Sequence, residues 1–390
     1  MTWPPSHRLR FFCESTCWRV VLEELTVNEF TWSMSHPLVL LLAGNFALRG
    51  TSAYTLRLAE YLANHGYRVK VVCPCARMVE TDKRADLPIL EYPHLLTPLW
   101  GYVIRSWLRK DLLDDPPALI HIQSRHLLPL GTWLARRFGC PFVVTVHDFL
   151  KPRERWSFQA TWGRRIIAVS ESVRAELLKQ TRVSADLVTV IASGVEAVEQ
   201  LPAAVLDPKR IPVVGTAGPL EASKGLPYFL GAAQKVLAAQ VAAEFVIAGA
   251  GPEEENLRRL SRELGIAEHV TFVPNVLDLT TSLTAMDVFC LPSLRQGLGT
   301  IMLEAMSLGR PVIATGVDGV YSVVKDNETG LVVPPSNSEQ LAQRMLELLR
   351  DPIRARQIGN NARQMVQRDF SVDRMMRDTV EVYQGVLSAK

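Results

Sequence analysis

The stretch Ser293–Thr315, SLRQGLGTIMLEAMSLGRPVIAT, sets a single carboxylate, Glu304, in an otherwise apolar run. Burying an unpaired carboxylate is costly, so Glu304 calls for a partner or a cleft. Its two acceptor oxygens suit the paired hydroxyls of a ribose; a surface-facing Glu on an amphipathic helix is the plainer alternative. Just upstream, Gly297-Leu298-Gly299 marks a strand-to-helix junction. Glycine there lets backbone approach a ligand, and the helix start offers N–H groups to a phosphate. Taken alone, the two glycines read equally well as a tight turn.

Three further junctions of the same kind follow. In GPLEASKGLPYF a strand ends at Gly218, a loop carries Lys224-Gly225, and a helix begins. A cation beside a helix N-terminus is unfavourable unless an anion binds there, and a diphosphate resolves the conflict; a solvated loop lysine is the alternative. In AGAGPEEENL, Gly251 precedes a helix whose first turn is acidic. Those acids already complement the dipole, so the glycines there are expected to keep a loop low beside a base or sugar. Arg49-Gly50-Thr51-Ser52 opens the first helix and is a second approach point for phosphate or sugar. TVHDF puts His147 at the C-terminal end of an apolar strand, where imidazole donates or accepts near neutral pH, unless it is a satisfied structural group. No catalytic-triad order, G-x-S-x-G elbow, metal-ligand spacing or P-loop pattern competes with this set.

The elements that must position these residues are short apolar strands alternating with amphipathic helices from Met34 onward, as in PLVLLL, TSAYTLRLAEYLANHG and YRVKVVCP. Continuous apolar strands joined by helices imply a parallel sheet covered on both faces. The pattern lapses near residues 195–210 and restarts at PVVGTAG. The expected class is α/β, with two doubly wound, Rossmann-like domains facing across a cleft. Residues 34–205 are expected to form the first domain and 206–370 the second. Residues 371–390 make a closing helix, and 1–33 a poorly defined extension. A chain of 390 residues suits two domains. A net charge of +3 without a long basic run excludes a nucleic-acid partner, and no stretch is apolar enough to span a membrane. The six scattered cysteines fit a reducing, cytoplasmic setting.

Taken together, KG, AGAGPEEENLRRLSRELGI, HVTFVPNV, DVFCLPS, GLGTIMLEAMSLGRPVIAT and NETGLVVPPSN resemble, in order and spacing, the retaining nucleotide-sugar glycosyltransferases of family 4, with the GT-B fold. The resemblance runs from Met34 to near the end, and it implies that 34–205 is the acceptor-side domain, 206–370 the nucleotide-sugar-binding domain and 371–390 a helix crossing back to the first domain. It implies that Lys224 binds the donor diphosphate and Glu304, second acid of an E-x7-E pattern, holds the ribose. Amides around Leu298, Gly299 and Thr300 would meet phosphate and sugar. His147 would touch the transferred sugar, with Gly50, Gly218, Gly225, Gly251, Asn275 and Gly297 lining the donor site. Gln296 stands where the pattern has its first Glu and is counted with His147 and Lys224 as catalytic. Three more departures are Pro219 for an arginine, His121-Ile122-Gln123 for H-x-H, and Ser193-Gly194 for Asn-Gly.

The resemblance therefore implies transfer from a UDP- or GDP-linked sugar to a glycan or lipid-linked glycan, with retention and without a metal or other cofactor. Synthesis of cell-envelope polysaccharide or glycolipid would be the setting. A donor-binding partner of another transferase and a nucleotide-sugar epimerase are the alternatives. Arg105, Arg109, Lys110, Arg136, Arg137, Arg153, Arg155, Arg164 and Arg165 give the first half a basic face. It reads either as a peripheral contact with the inner membrane leaflet or as an ordinary solvated surface. The sequence carries no signal for an oligomeric state.

Overall fold

A computed structural model describes residues 36–44, 51–76, 87–95, 97, 101–150, 154, 156–198, 204–274 and 279–389. The extension at 1–33, Arg49, Gly50, Arg153, Arg155 and Asn275 lie outside the described residues.

In the first half the order is β1 (Leu38–Leu42), α1 (Thr51–Asn64), β2 (Arg68–Cys73), β3 (Ile89–Glu91), α2 (Gly101–Asp111), β4 (Leu119–Ile122), α3 (Leu128–Phe138), β5 (Phe142–Val146), β6 (Gly163–Ala168), α4 (Glu171–Gln180) and β7 (Val188–Val190). The seven strands form one sheet in the order β3-β2-β1-β4-β5-β6-β7, and every pairing is parallel. Every residue of β1, β4 and β5 is buried, as a strand covered on both faces requires. The continuous apolar runs arise from that burial.

The second half runs β8 (Val213–Ala217), α5 (Leu226–Ala238), β9 (Glu244–Ala248), α6 (Glu254–Glu263), β10 (Val270–Val273), α7 (Leu279–Ala285), β11 (Val288–Leu291), α8 (Thr300–Ser307), β12 (Val312–Thr315) and β13 (Leu331–Val333). Three helices close the chain: α9 (Ser338–Arg350), α10 (Pro352–Asp369) and α11 (Val372–Ser388). The sheet order β10-β9-β8-β11-β12-β13 reverses direction between β8 and β11. That switch point opens a crevice at the strand C-termini, and the loops after β8 and β11 line it. Asp287, fully buried just before β11, anchors the incoming linker. Its carboxylate accepts from Leu206 N at 2.7 Å, Val213 N at 2.9 Å and Arg210 Nη1 at 2.7 Å.

The chain passes between the halves at two adjacent crossings. Val195 N donates to Phe370 O at 2.8 Å and Val372 N to Val195 O at 3.2 Å. A Cβ on Gly194 would stand 2.5 Å from Ser371 O, so the crossing requires glycine there. Beyond it, Ser371 caps α11, which packs on the first sheet. There Met375, Met376, Tyr383 and Val386 share a core with Val39, Leu41, Tyr54 and Leu58. Among the described residues no helix is long and apolar enough to cross a membrane.

Candidate active site

Two loops of the second domain meet at the switch point. After β8, a 3-10 turn at Ala222–Lys224 leads through Gly225 into α5. Gly225 is left-handed at φ +63°, and a Cβ there would lie 2.0 Å from Pro292 O of the neighbouring loop. Leu294 N donates to Ser223 O at 2.9 Å, which fastens the two loops together. The second loop ends at Gly299, φ +92°, the residue before α8. Neither α5 nor α8 has a side-chain cap. The first amides of a helix have no intrahelical acceptors, so two helix starts present donors and positive dipole ends beside one lysine.

Lys224 Nζ donates to Gln296 Oε1 at 3.3 Å, and Ser293 Oγ donates to the same oxygen at 3.1 Å. The Gln296 backbone is held as firmly. Its N–H donates to Asp318 Oδ2 at 3.2 Å, and its carbonyl accepts from Gly319 N at 3.0 Å. Glu304 is half-buried on α8 and has an interaction partner. One turn separates it from Thr300, which puts both on one face of the helix. Leu298 contributes its side chain to the core and leaves only its backbone to the loop.

The first domain closes against this loop. Ser170, N-cap of α4, donates to Gly297 O at 2.6 Å, and Ser172 Oγ lies 3.3 Å from the same carbonyl. A Cβ on Gly297 would stand 3.2 Å from His147 O and 3.4 Å from Asp148 Oδ1, so glycine sets the close approach. Arg295 stacks on the Phe149 ring at 4.2 Å and reaches Glu176 on α4 at 3.6 Å. His147 therefore faces the Gln296–Gly299 loop across the cleft. Burial, and after it the Arg125 guanidinium, lowers the His147 pKa to about 4, so the ring is neutral at pH 7.

Lys224, Gln296, Gly297, Leu298, Gly299, Thr300 and Glu304 thus come together on the second domain, opposite His147 on the first. Gly218 directly follows β8 with φ +137°, its N–H on Ala248 O at 2.9 Å. Gly251 has a structural reason of its own: a Cβ would lie 2.4 Å from Leu220 O, so this glycine lets two loops pack. Sequence reasoning missed Ser170, Arg295, Asp318 and Gln123 as members of the site. The serine before α4 carried an N-cap signal, but nothing local announced its second bond across the cleft. Among the described residues no group of three His, Cys, Asp or Glu side chains is placed to hold a metal ion.

Two family models match consecutive parts of the chain: Glycosyltransferase Family 4 over residues 48–199 and glycosyl transferases group 1 over residues 198–365. The chain is 27% identical over 356 residues to a phosphatidyl-myo-inositol mannosyltransferase of Mycobacterium leprae, covering 87% of this chain and 94% of that protein. A glycosyltransferase from Rickettsia africae superposes with a TM-score of 0.76 at 20% identity, covering 91% of this chain and all of that one. Anabaena HepE, in complex with UDP and glucose, superposes with a TM-score of 0.75 at 18% identity over 90% of this chain and 100% of its own. Paired parallel sheets, a cleft at the switch point and two adjoining matches agree: the fold is GT-B, and the chain belongs to the group 1, family 4 glycosyltransferases.

Proposed function

We propose that this glycosyltransferase moves a sugar from a UDP- or GDP-linked donor to a hydroxyl of a glycan or lipid-linked acceptor, with retention of anomeric configuration. One observation carries the reading: Lys224 stands between two uncapped helix starts and within 3.3 Å of Gln296. Such a cradle fits a diphosphate. In this reading Glu304 grips the ribose, Lys224 and the amides at Gly299 and Thr300 hold the diphosphate, and Gln296 and His147 contact the sugar. The bond from the anomeric carbon to the diphosphate oxygen breaks first, and the fixed donors stabilise the charge that leaves. The acceptor oxygen then bonds to the same face of the anomeric carbon, and its proton passes to the departed phosphate oxygen. Fixed donors take the electrostatic role of a metal ion. Closure through Ser170 and Arg295 excludes water from the reactive centre.

Incubation with a panel of UDP- and GDP-sugars should release the nucleoside diphosphate slowly from one of them even without acceptor. Flat calorimetric titrations with every donor would refute the proposal. Gln296→Glu should transfer at the wild-type rate or faster, because an acceptor oxygen stays within reach of Lys224 and of a sugar hydroxyl. Loss of transfer in that variant would remove Gln296 from the sugar subsite.

Helix α2 supports a lipid-linked acceptor. Ile104 and Leu108 face the core, while Val103 and Trp107, one position earlier in each turn, are 41% and 58% exposed; Lys110 shares their flank, and Arg105 and Arg109 lie on the other. Apolar anchors among cations suit an anionic leaflet. Trp107→Ser should cut co-sedimentation with phosphatidylglycerol vesicles about fivefold or more, given an apolar anchor worth roughly 1–3 kcal/mol. Unchanged binding would leave α2 as a solvated face.

A further inference from the structure

A buried row of polar side chains runs from α11 to the cleft. The Tyr383 hydroxyl, fully buried, hydrogen-bonds to His121 Nδ1, and His121 Nε2 lies 2.7 Å from Thr145 Oγ1. Gln123 is 2% exposed. Its amide nitrogen stands 3.1 and 3.2 Å from the two ring nitrogens of His121, and its Oε1 is 3.2 Å from His147 Nε2. The Tyr54 ring meets the His147 imidazole edge-on at 5.1 Å and 78°, which confines the ring from the side of α1. An amide oxygen only accepts, so His147 Nε2 must donate, and a neutral ring then keeps Nδ1 as an acceptor. A buried amide is costly unless both ends are engaged, and here both are.

We propose that Gln123 is a positioning residue: held by His121 and, behind it, by Tyr383, it fixes the orientation and tautomer of His147 so that Nδ1 accepts a hydroxyl of the sugar. This rests on the reading of His147 as a sugar contact. The last helix thereby becomes part of the site without touching substrate, because its docking on the first sheet orients the histidine across two intervening side chains. The titratable groups around His147 are His121 on β4, Arg125 after it, Tyr54 on α1 and the adjacent Asp148. Tyr383 stands behind His121, and Glu154 pairs with Arg125 at 3.4 Å. From the second domain the loop at Gly297 approaches His147 O, and Arg295 brings its guanidinium over Phe149, two residues along.

The test uses the full chain without ligand first. Histidine-labelled protein is titrated by NMR as wild type, Gln123→Glu and Gln123→Leu, with His147→Ala to assign the resonance. Gln123→Glu keeps an acceptor on Nε2 and adds a charge, so the His147 midpoint should rise by at least about one pH unit. Gln123→Leu should leave the midpoint low. Release of nucleoside diphosphate from UDP-glucose and from GDP-mannose is then followed against pH. Gln123→Leu should lower kcat about tenfold with the donor KM within about twofold, since the nucleotide is held by the other domain. Gln123→Glu should recover most of that loss at high pH, with its acid limb displaced upward alongside the NMR midpoint. An unmoved midpoint, or equal losses in both variants at every pH, overturns the proposal. If Gln123→Leu does not fold, the near-isosteric Gln123→Glu carries the test by its midpoint and acid limb. Full donor turnover in His147→Ala would instead refute the sugar contact itself, and an NMR shift in that case would still report the tie between Gln123 and His147.

Discussion

Lys224→Ala is expected to lower turnover about 10²–10³-fold, the usual cost of removing one fixed donor from a site where negative charge develops. The size of the effect follows from position. Lys224 closes the 3-10 turn directly before the left-handed Gly225, and that glycine is pinned under Pro292 O. The Lys224 backbone is therefore fixed beside the start of α5, and the bond to Gln296 holds its ammonium at the loop that leads into α8. Its hydrogen bond to Gln296 at 3.3 Å is to a neutral acceptor, so a bound diphosphate competes for the cation with an amide and not with a carboxylate. Part of the loss belongs to binding, because the ground-state diphosphate is already charged; the donor KM should rise along with the fall in kcat. Lys224→Arg should recover little, since a planar fork does not replace a compact point charge in a space bounded by backbone. Glu304→Ala should cost at least about tenfold, roughly 1.4 kcal/mol, through the ribose. Steady-state kinetics on the donor found in the panel decide the matter: wild-type kcat/KM in both alanine variants would remove the diphosphate and ribose roles together.

Why these residues were visible in the sequence and others were not is a question of range. Lys224, Gly297, Gly299 and Glu304 sit where an apolar strand gives way to a helix, and parallel sheets put such junctions at the cleft. The motif and its placement are both local. The same holds for the buried strands β1, β4 and β5, whose unbroken apolar runs are a direct imprint of two-sided burial. By contrast β3, three residues long, and α7, seven residues long, are too short for a period to emerge. Helix α2 was seen only as a cluster of cations, because Trp107 and Val103 on its outer side blur the single apolar stripe. The bonds that close the cleft were hidden for a different reason. Ser170 and Gly297 are 127 positions apart, and His121 and Tyr383 are 262 apart. Neither spacing has a signature in a single chain. Gly251 depends on range in the same way: the carbonyl of Leu220, 31 residues earlier in the sequence, fills its Cβ position, and no local pattern announces that contact.

The same buried row makes the fold itself sensitive to acid. Burial, with His147 second, lowers the His121 pKa to about 3, and the His147 pKa is lowered to about 4, against about 6.5 in an unfolded chain. Both folded values lie below the unfolded one, so the unfolded state binds protons first as pH falls. Stability from these two residues is complete above pH 6.5 and is lost progressively down to pH 4 for His147 and pH 3 for His121. Each contributes a slope of about 1.4 kcal/mol per pH unit inside its window, and His121 alone accounts for a loss on the order of 4 kcal/mol by pH 3. Carboxylates add to acid unfolding, but in a lower window: Asp369, held down chiefly by its bond to Arg368, sheds its contribution below the ordinary carboxylate pKa. The interval from pH 6.5 to 4.5 therefore belongs mainly to the histidines. His121→Asn should be less stable than wild type at pH 7.5, having lost a ring that joins Tyr383 to Thr145, yet its urea midpoint should fall less steeply with acid. The two curves converge as pH drops to 4.5 if His121 is held neutral by burial. Parallel curves over that interval would mean that His121 titrates as it does in solution, and that the contact between β4 and α11 tolerates its charge.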